Sequence, residues 1–382
     1  MGGLILAEAT GSASAAGFAQ AASTLGSAVV AVPAARLAVA RGRRMSLSAT
    51  YLLSGIGAAI VVMGSAWAVP ALVVIGMLGF GAGQAASLQA RFAGVDLATA
   101  ATRGRTLSML LFAVTVGGIV GPNLAGPTGR WASSMGLPPY AGPFFVSIGL
   151  LLLATIWIQV LLRPDPLLVA AEASPRSESD LSTRPSVRQS LQVIWSSWAG
   201  RIGILAVAGA HAAMVSVMVM TPVHIDQEGH GIEVVGVIIS GHVLGMYAFS
   251  PVMGAIADRY GPRVTVLLGA FTLLSACAVC ILAGGDAMVM LGAGLFLLGL
   301  GWSACIVGGS LLVTSVTDER HRPAIQGASD LVMGLSATVV AVASGPIVEY
   351  ASYAALAVVA AILVVPMLVT VVMERSAARA ID

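Results

Sequence analysis

Apolar runs of about 20 residues recur along the whole of this chain, separated by short polar stretches. Each run is long enough to cross the hydrocarbon core of a bilayer, roughly 30 Å, as a single helix. Hydrophobic residues make up 58% of the 382 residues and charged residues only 9%. A soluble domain carries about 25% charged residues. The pattern therefore predicts an all-α polytopic membrane protein, embedded in the lipid bilayer.

The hydropathy pattern predicts eleven full spans after a short first segment. The spans are placed at roughly 14–38, 46–67, 70–92, 106–126, 141–162, 202–222, 234–255, 264–283, 287–313, 326–347 and 353–373. The first segment, Met1–Ala9, covers less than half of the hydrocarbon core at about 1.5 Å per residue. We expect it to be a truncated first helix, left by a mis-set start codon or a lost upstream segment. It is also too short for a signal peptide.

The placement of arginine predicts the orientation. All 19 basic residues are arginine. If the Arg41–Arg44 loop is cytoplasmic, every arginine except Arg130 falls in a cytoplasmic loop or at the helix end beside one. We therefore expect a multi-pass membrane protein with a cytoplasmic carboxyl terminus. Because the arginines are spread over short loops, nothing suggests binding to nucleic acid.

One polar stretch divides the chain. The segment Arg163–Arg201 is rich in serine, proline and charged residues, which is typical of a linker. The predicted organisation is an amino-terminal transmembrane half, 1–162, a cytoplasmic linker, 163–201, and a carboxyl-terminal transmembrane half, 202–382. Within the linker, Gln189–Ser197 is predicted to form an amphipathic turn on the membrane surface.

The two halves carry repeated landmarks. A loop of the second half has small and charged residues at fixed spacing, namely Gly254, Asp258, Arg259, Gly261 and Arg263. The segment Ala35–Arg44 repeats this pattern 219 residues earlier. Gly121-Pro122 and Gly345-Pro346 also recur, each inside a span. These repeats predict two halves related by an axis along the membrane normal.

The Gly-x-x-x-Asp-Arg-x-Gly-x-Arg loop resembles the signature loop of the major facilitator superfamily, and the resemblance extends over essentially the whole chain. It implies two helical halves that rock around a midplane site, and a gating role for Gly254, Asp258, Arg259, Gly261 and Arg263. Asp258 is expected to contact the positive amino-terminal end of a helix and latch the halves. The first-half copy lacks the glycine (Ala35) and the acid (Val39), which predicts asymmetric gating.

A glycine-rich motif resembles the one that marks antiporter-type members of that superfamily. It consists of Gly117, Gly121, Pro122 and Gly126. These residues are predicted to allow close helix approach and a kink. However, the fourth span of the family often carries an arginine tied to proton coupling, and the region Gly79–Gln84 has none. This absence argues against a typical proton-driven drug antiporter.

Histidine and methionine recur on the seventh and eighth spans. Met214 and Met218 lie four residues apart on one span, and His242 and Met246 on the next, so each pair shares one helix face. His211 falls on the same stripe as the first pair. Met253 falls on the stripe of the second pair. Thioether and imidazole groups favour Cu(I) over hard ions and bring no buried charge into the bilayer.

These paired ligands resemble those of one branch of the superfamily, the bacterial copper importers of the CcoA-like kind. The resemblance implies a transporter of the bacterial inner (plasma) membrane in which Met214, Met218, His242 and Met246 handle copper as a transported ion. His211 is an ionisable residue in mid-span, and we expect it to belong to the site or to accept a proton. Several alternatives stay open. Methionine is also an ordinary filler of helical cores, riboflavin uptake is associated with the same branch, and the Gly-Pro motif suggests proton-coupled export of a small organic molecule. The short first segment suggests a non-transporting membrane protein.

Enzymatic activity is not expected. The chain has no lysine and no Gly-x-x-x-x-Gly-Lys loop, so it has no phosphate-binding loop for direct use of ATP. No nucleophile–base pair or carboxylate dyad occurs at membrane depth. Three cysteines, Cys277, Cys280 and Cys305, lie inside spans and are predicted to be small packing residues. We expect no permanently bound cofactor and a monomeric protein.

Overall fold

The chain divides into two compact units, Met1–Glu178 and Ser179–Asp382. The computed structural model describes residues 1–12, 14–95, 103–173, 186–283, 287–317 and 322–379. The boundary between the units falls within the predicted linker, 163–201. The middle of that linker, including Arg176 and Arg184, lies outside the described residues, as does Arg320.

The amino-terminal unit is built from helices and one short 3-10 turn, Pro139–Ala141. Its helices are α1 (Gly2–Thr10), α2 (Ala15–Ala66), α3 (Pro70–Phe80), α4 (Ala82–Val95), α5 (Arg103–Asn123), α6 (Ala125–Ser134), α7 (Gly142–Leu161) and α8 (Pro166–Ala173).

The carboxyl-terminal unit is likewise helical. Its helices are α9 (Val187–Ser196), α10 (Trp198–Gln227), α11 (Ile232–Tyr247), α12 (Ser250–Tyr260), α13 (Pro262–Leu282), α14 (Met288–Thr314), α15 (Arg322–Tyr350) and α16 (Tyr353–Arg379).

The predicted all-α membrane fold is confirmed. Within the described ranges, ten helical segments are long and apolar enough to cross a membrane. They match ten of the eleven predicted full spans. The remaining prediction, 106–126, falls on α5, a helix of 21 residues. Ahead of these spans, α1 has nine residues and buries Ile5 and Leu6 in a core that α2 and α3 also form.

The internal repeat is visible in the backbone. Gly42, inside the long helix α2, has a φ of 87°, and Gly261, between α12 and α13, has a φ of 90°. Residues with a Cβ rarely adopt such positive angles. The two glycines lie 219 residues apart, which is the offset of the repeated loop. Each glycine therefore makes the same sharp break before a membrane-spanning helix.

Three predicted elements differ in detail. The predicted span 234–255 is two helices, because α11 ends at Tyr247 and α12 begins at Ser250. The predicted turn Gln189–Ser197 belongs to the helix α9, whose amino terminus is closed by reciprocal hydrogen bonds between Ser186 and Gln189. The linker also contains α8, which begins at Pro166.

Glycine faces bring α14 close to its neighbours. A Cβ placed on Gly301 would lie 2.8 Å from the backbone nitrogen of Leu273 on α13. A Cβ on Gly309 would lie 2.9 Å from the carbonyl oxygen of Gly203 on α10. A Cβ on Gly299 would lie 2.3 Å from the carbonyl oxygen of His242 on α11. Helices in lipid associate through this kind of close packing, because no hydrophobic force draws them together.

We expect Gly301→Ala to lower the thermal stability of the detergent-solubilised protein. The added methyl group must push α13 away, which costs about 1–3 kcal/mol. Gly334→Ala on α15 is the matched control, since a Cβ there meets nothing within 4 Å. The control should melt at or above the wild-type temperature, because alanine favours a helix over glycine by about 1 kcal/mol. Equal melting of the two variants would contradict this account of packing.

Candidate functional site

The predicted histidine and methionine residues lie on α10 and α11, and both helices pack against α14. His211, Met214 and Met218 belong to α10, whereas His242 and Met246 belong to α11. The helices α10 and α11 each make far more contact with α14 than with each other. The structure thus brings the two sets together around a third helix, which the sequence pattern did not single out.

The connecting turn sets which residues of α10 and α11 lie at equal depth. Consecutive spans run in opposite directions, so residues at equal distance from that turn lie at equal depth. Met218 and His242 are each twelve residues from His230 in the turn, and Met214 and Met246 are each sixteen residues from it. Met218 is therefore level with His242, and Met214 with Met246.

His242 is almost completely buried, with 2% of its surface exposed. Its Nδ1 lies 2.7 Å from the carbonyl oxygen of Leu295 on α14. Since a carbonyl oxygen only accepts, Nδ1 carries the hydrogen and Nε2 keeps a lone pair. That Nε2 is buried and has no hydrogen-bond partner among the described residues. His242 is thus a half-satisfied polar group whose free atom accepts a donor or a soft metal ion.

The methionines on the two helices are mostly buried. Met214 is 8% exposed and Met246 is 9% exposed, while Met218 is half-buried. Met246 packs beside Gly299 of α14. Met253 is also buried, but it lies on α12, beyond the break that follows Tyr247. The helical projection that placed Met253 on the stripe of His242 assumed one continuous helix, and this placement stays a prediction.

His211 belongs to a cluster that sequence reasoning did not foresee. The indole nitrogen of Trp302 on α14 donates to Nδ1 of His211 over 3.1 Å. The two rings have centroids 6.2 Å apart. The ring of Tyr247 meets Trp302 edge-on, with centroids 5.9 Å apart. All three side chains are half-buried. The cluster therefore offers aromatic surface and, because Nδ1 accepts a hydrogen bond, a hydrogen-bond donor at Nε2 of His211 in the neutral ring.

The two histidines meet α14 at different heights. His242 bonds at Leu295, and His211 bonds at Trp302, seven residues further along the same helix. Seven residues correspond to about 10 Å of helix. In the part of the chain that the structure describes, no group of three or more histidine, cysteine or acidic residues is placed to hold a metal ion.

The comparisons with known proteins agree with this architecture. The model of the Major Facilitator Superfamily matches residues 1–238 and again 205–380. The chain belongs to the major facilitator superfamily. Its fold also matches a partially occluded, inward-open structure of the xylose transporter XylE from E. coli, with a TM-score of 0.66 over 94% of this chain and 86% of that chain. The sequences are 16% identical, so the match concerns the fold alone.

Three bacterial relatives are more similar to this chain in sequence than XylE is. The uncharacterized MFS-type transporter YdeG of Bacillus subtilis is 35% identical over 98% of this chain and 87% of its own length. YddS from the same organism is 34% identical over 95% of this chain and 83% of its own length. The riboflavin transporter RfnT of Brucella anthropi is 30% identical over 81% of this chain and 74% of its own length.

The signature motif of the superfamily spans the end of α12, the break at Gly261 and the start of α13. Asp258 and Arg259 are exposed, and the guanidinium of Arg259 lies over the ring of Tyr260. Arg263 makes two hydrogen bonds to the carboxylate of Glu374, at 2.8 and 2.6 Å. Gly254 lies in α12 with open space where a Cβ would project. The latch expected at Asp258 stays a prediction.

The first-half copy of the loop has an acid that the sequence comparison missed. The carboxylate of Asp165, just before α8, accepts hydrogen bonds from the backbone nitrogens of Arg43 at 3.1 Å and Arg44 at 2.8 Å. It also accepts from the backbone nitrogen of Leu167 at 3.1 Å. One carboxylate thus caps two helix starts. Although the aligned position is Val39, an acid distant in sequence lies beside this loop.

The antiporter-like motif lies across the junction of α5 and α6, and two of its glycines approach no described neighbour. Gly117 and Gly121 are exposed, and a Cβ on either would meet no described atom within 4 Å. The close approach expected there is therefore absent from the described residues. The helix α5 ends at Asn123 and α6 begins at Ala125. The kink expected at Pro122 stays a prediction. Gly126 is buried in α6.

Removing the Asp165 carboxylate should destabilise the amino-terminal unit. We expect Asp165→Ala to cost about 1–2 kcal/mol, because three backbone donors at helix starts lose their acceptor. The change is measured as a lower melting temperature of the purified protein. Asp258→Ala is the matched control, since that acid is exposed on the corresponding loop of the other unit. A variant at Asp165 that melts with the control would contradict the capping role.

Proposed function

We propose that this chain is a secondary active transporter that carries a small planar heteroaromatic solute into bacterial cells. The observation that carries this proposal is the cluster of His211, Trp302 and Tyr247. Transport proceeds by alternating access, as the superfamily implies. The site of action is the bacterial inner membrane, with the carboxyl terminus in the cytoplasm.

The chemistry of the cluster suits such a solute. Trp302 and Tyr247 offer aromatic surface, on which planar rings pack favourably in stacked or edge-on arrangements. Nε2 of neutral His211 offers one hydrogen-bond donor, which matches a ring carbonyl or an aza nitrogen. A histidine inside a membrane span faces the bundle interior or a water-filled cavity, because contact with lipid is costly. An apolar surface with a few fixed polar groups is typical of small-molecule sites.

The relatives support the same class of cargo. Riboflavin carries a planar fused ring system with carbonyl and aza acceptors, and the Brucella anthropi relative is named as its transporter. The similarity covers four fifths of this chain, including α10, α11 and α14 in part or in full. Membership of the superfamily also supports transport over the alternative of a non-transporting membrane protein.

Copper is a second candidate cargo. The observation that favours it is the unpaired, buried Nε2 of His242, which keeps its lone pair. Met218 lies at the same depth, and Met246 lies one turn away on the same helix face. Together with Met214, these residues form the set that resembles the CcoA-like importers. A soft set of neutral ligands suits Cu(I), although His211 takes no part in it because Trp302 occupies its Nδ1.

The proposal also covers cofactors, partners and oligomeric state. The transporter acts without a permanently bound cofactor and without a covalent step, so it is not an enzyme. Its partners are the lipid bilayer and its solute, and it functions as a monomer.

Uptake of labelled riboflavin tests the first candidate. We expect cells that produce the wild-type chain, in a host without its own riboflavin uptake, to accumulate label. Trp302→Ala should lower the initial rate about two- to tenfold, since one aromatic contact is worth about 0.5–1.5 kcal/mol. Trp157→Ala, at an exposed position of α7, is the control and should leave the rate unchanged. No uptake by the wild type, or equal rates for both variants, would refute this cargo.

Accumulation of radioactive copper tests the second candidate. If copper is the cargo, His242→Ala and Met218→Leu should each abolish accumulation at unchanged protein levels. Met220→Leu is the control, because Met220 lies on the opposite side of α10 and is buried in packing. Copper accumulation that persists in His242→Ala would exclude this role for the histidine.

A further inference from the structure

We infer that His211 carries the proton that drives transport, and that the proton can bind only when the hydrogen bond from Trp302 opens. The inference rests on the proposed function, because it names the coupling ion of that transporter. It depends on the geometry of one hydrogen bond between two membrane-spanning helices, α10 and α14.

The hydrogen bond fixes the state of the imidazole ring. Trp302 is only a donor, so Nδ1 of His211 must be the acceptor and Nε2 must carry the hydrogen of the neutral ring. The neutral ring has a single lone pair, and the indole N–H already occupies it. A proton that arrives from water must bind at Nδ1, since no other atom of the ring can accept it.

Protonation therefore breaks the link between the two helices. Once Nδ1 holds a proton, the imidazolium has two N–H donors, and Nδ1–H faces the N–H of Trp302. Two donors cannot bond to each other, so the indole must move away or find another acceptor. The proton comes from a hydronium ion, which becomes water, and it returns to water when Nδ1 is freed. The balance involves no other reactant.

Neighbouring charges do not take over this role. Two contacts show which residues of α15 and α16 lie at the same depth as His211. The hydroxyl of Ser336 on α15 donates to the carbonyl of Ala208, and a Cβ on Gly209 would touch the carbonyl of Leu363 on α16. At 1.5 Å per residue, the charged groups on the helices packed against α10 lie about 13 Å or more away along the axis. Among the side chains that the structure describes, these groups are Asp330, Glu349, Glu374, Glu233 and Arg263. The helix α9, which precedes α10, adds the exposed Arg188.

Other titratable side chains near this level are neutral. The described helix α14 carries no acidic or basic residue, and its Cys305 is a buried thiol. On α13, Cys277 and Cys280 are buried thiols as well. On α11, Tyr247 contacts Trp302, whereas His242 bonds about 10 Å further along α14. His211 is consequently the titratable group that responds to protons at the Trp302 contact.

The link also has the properties of a switch. It joins two side chains on different helices, and both side chains are half-buried, so water can reach them in some state of the transporter. By contrast, His242 is bound to a backbone carbonyl, which cannot turn away without moving α14 itself. A bond that one proton opens is a bistable contact of the kind that conformational switching requires.

The emission of Trp302 reports this event directly, because an imidazolium beside an indole quenches its fluorescence. The measurement uses the full-length protein in lipid nanodiscs, with the spectrum of Trp302→Phe subtracted from that of the wild type. We expect the difference emission to fall in a single titration as the pH is lowered from about 9 to about 4. In the His211→Gln background, the same difference should not vary with pH.

His224→Gln is the matched control, since His224 lies on the same helix and stacks on Tyr353 rather than on Trp302. It should leave the titration of Trp302 intact. Difference emission that is constant with pH in the wild type, or that still titrates in His211→Gln, would overturn the inference.

A transport measurement separates coupling from folding and from the proposed cargo. In proteoliposomes, His211→Gln should lower accumulation of riboflavin driven by a pH gradient far more than it lowers exchange of riboflavin for labelled riboflavin without a gradient, because the glutamine amide can donate to the solute but cannot be protonated. Loss of both activities in equal measure would indicate a structural role and overturn the inference. If the wild type shows the Trp302 titration but no movement of riboflavin, the proposed cargo fails and the proton switch stands.

Discussion

Contact between glycine faces on α14 is the interaction on which the carboxyl-terminal unit depends. In lipid, apolar side chains gain nothing by leaving the solvent, so helices must be held by close packing and by polar bonds. Gly299, Gly301 and Gly309 let α11, α13 and α10 approach the backbone of α14. This approach brings both histidines within reach of that helix. The glycine packing therefore determines where the histidines lie, and the hydrogen bonds of the histidines form as a consequence.

The two histidines are held in opposite tautomers, and this difference separates their roles. His242 donates from Nδ1 to a backbone carbonyl and keeps a buried lone pair on Nε2. His211 accepts at Nδ1 from an indole and keeps its hydrogen on Nε2. The first arrangement presents a fixed acceptor, which suits a soft cation. The second presents an N–H donor to a solute, and its lone pair accepts a hydrogen bond from a side chain that can move. This arrangement suits reversible binding of a proton.

Features that depend on local sequence were predictable, and features that depend on distant contacts were not. The membrane spans follow from hydropathy. The helix breaks at Gly42 and Gly261 follow from the spacing of residues within each copy of the loop. The residues paired with Arg43 and His211, in contrast, are Asp165 and Trp302, which are separated from them by whole helices. Periodicity on one helix cannot reveal them. A tryptophan within an apolar span, beside glycine, was the available signal, but it required knowledge of which helix it faces.

The two copies of the repeated loop differ in the contact that holds the helix after the loop. The difference determines how easily that helix can be released in each unit. In the amino-terminal unit, the carboxylate of Asp165 bonds to backbone nitrogens at the starts of two helices. Backbone donors cannot rotate away, so that anchor is rigid. In the other unit, Arg263 and Glu374 join the corresponding helix to α16 through side chains that are 47% and 18% exposed. Side chains, unlike backbone donors, can rotate apart without moving either helix. The second anchor can therefore open by side-chain rotation at the start of α13, the helix that packs against the glycine face of α14.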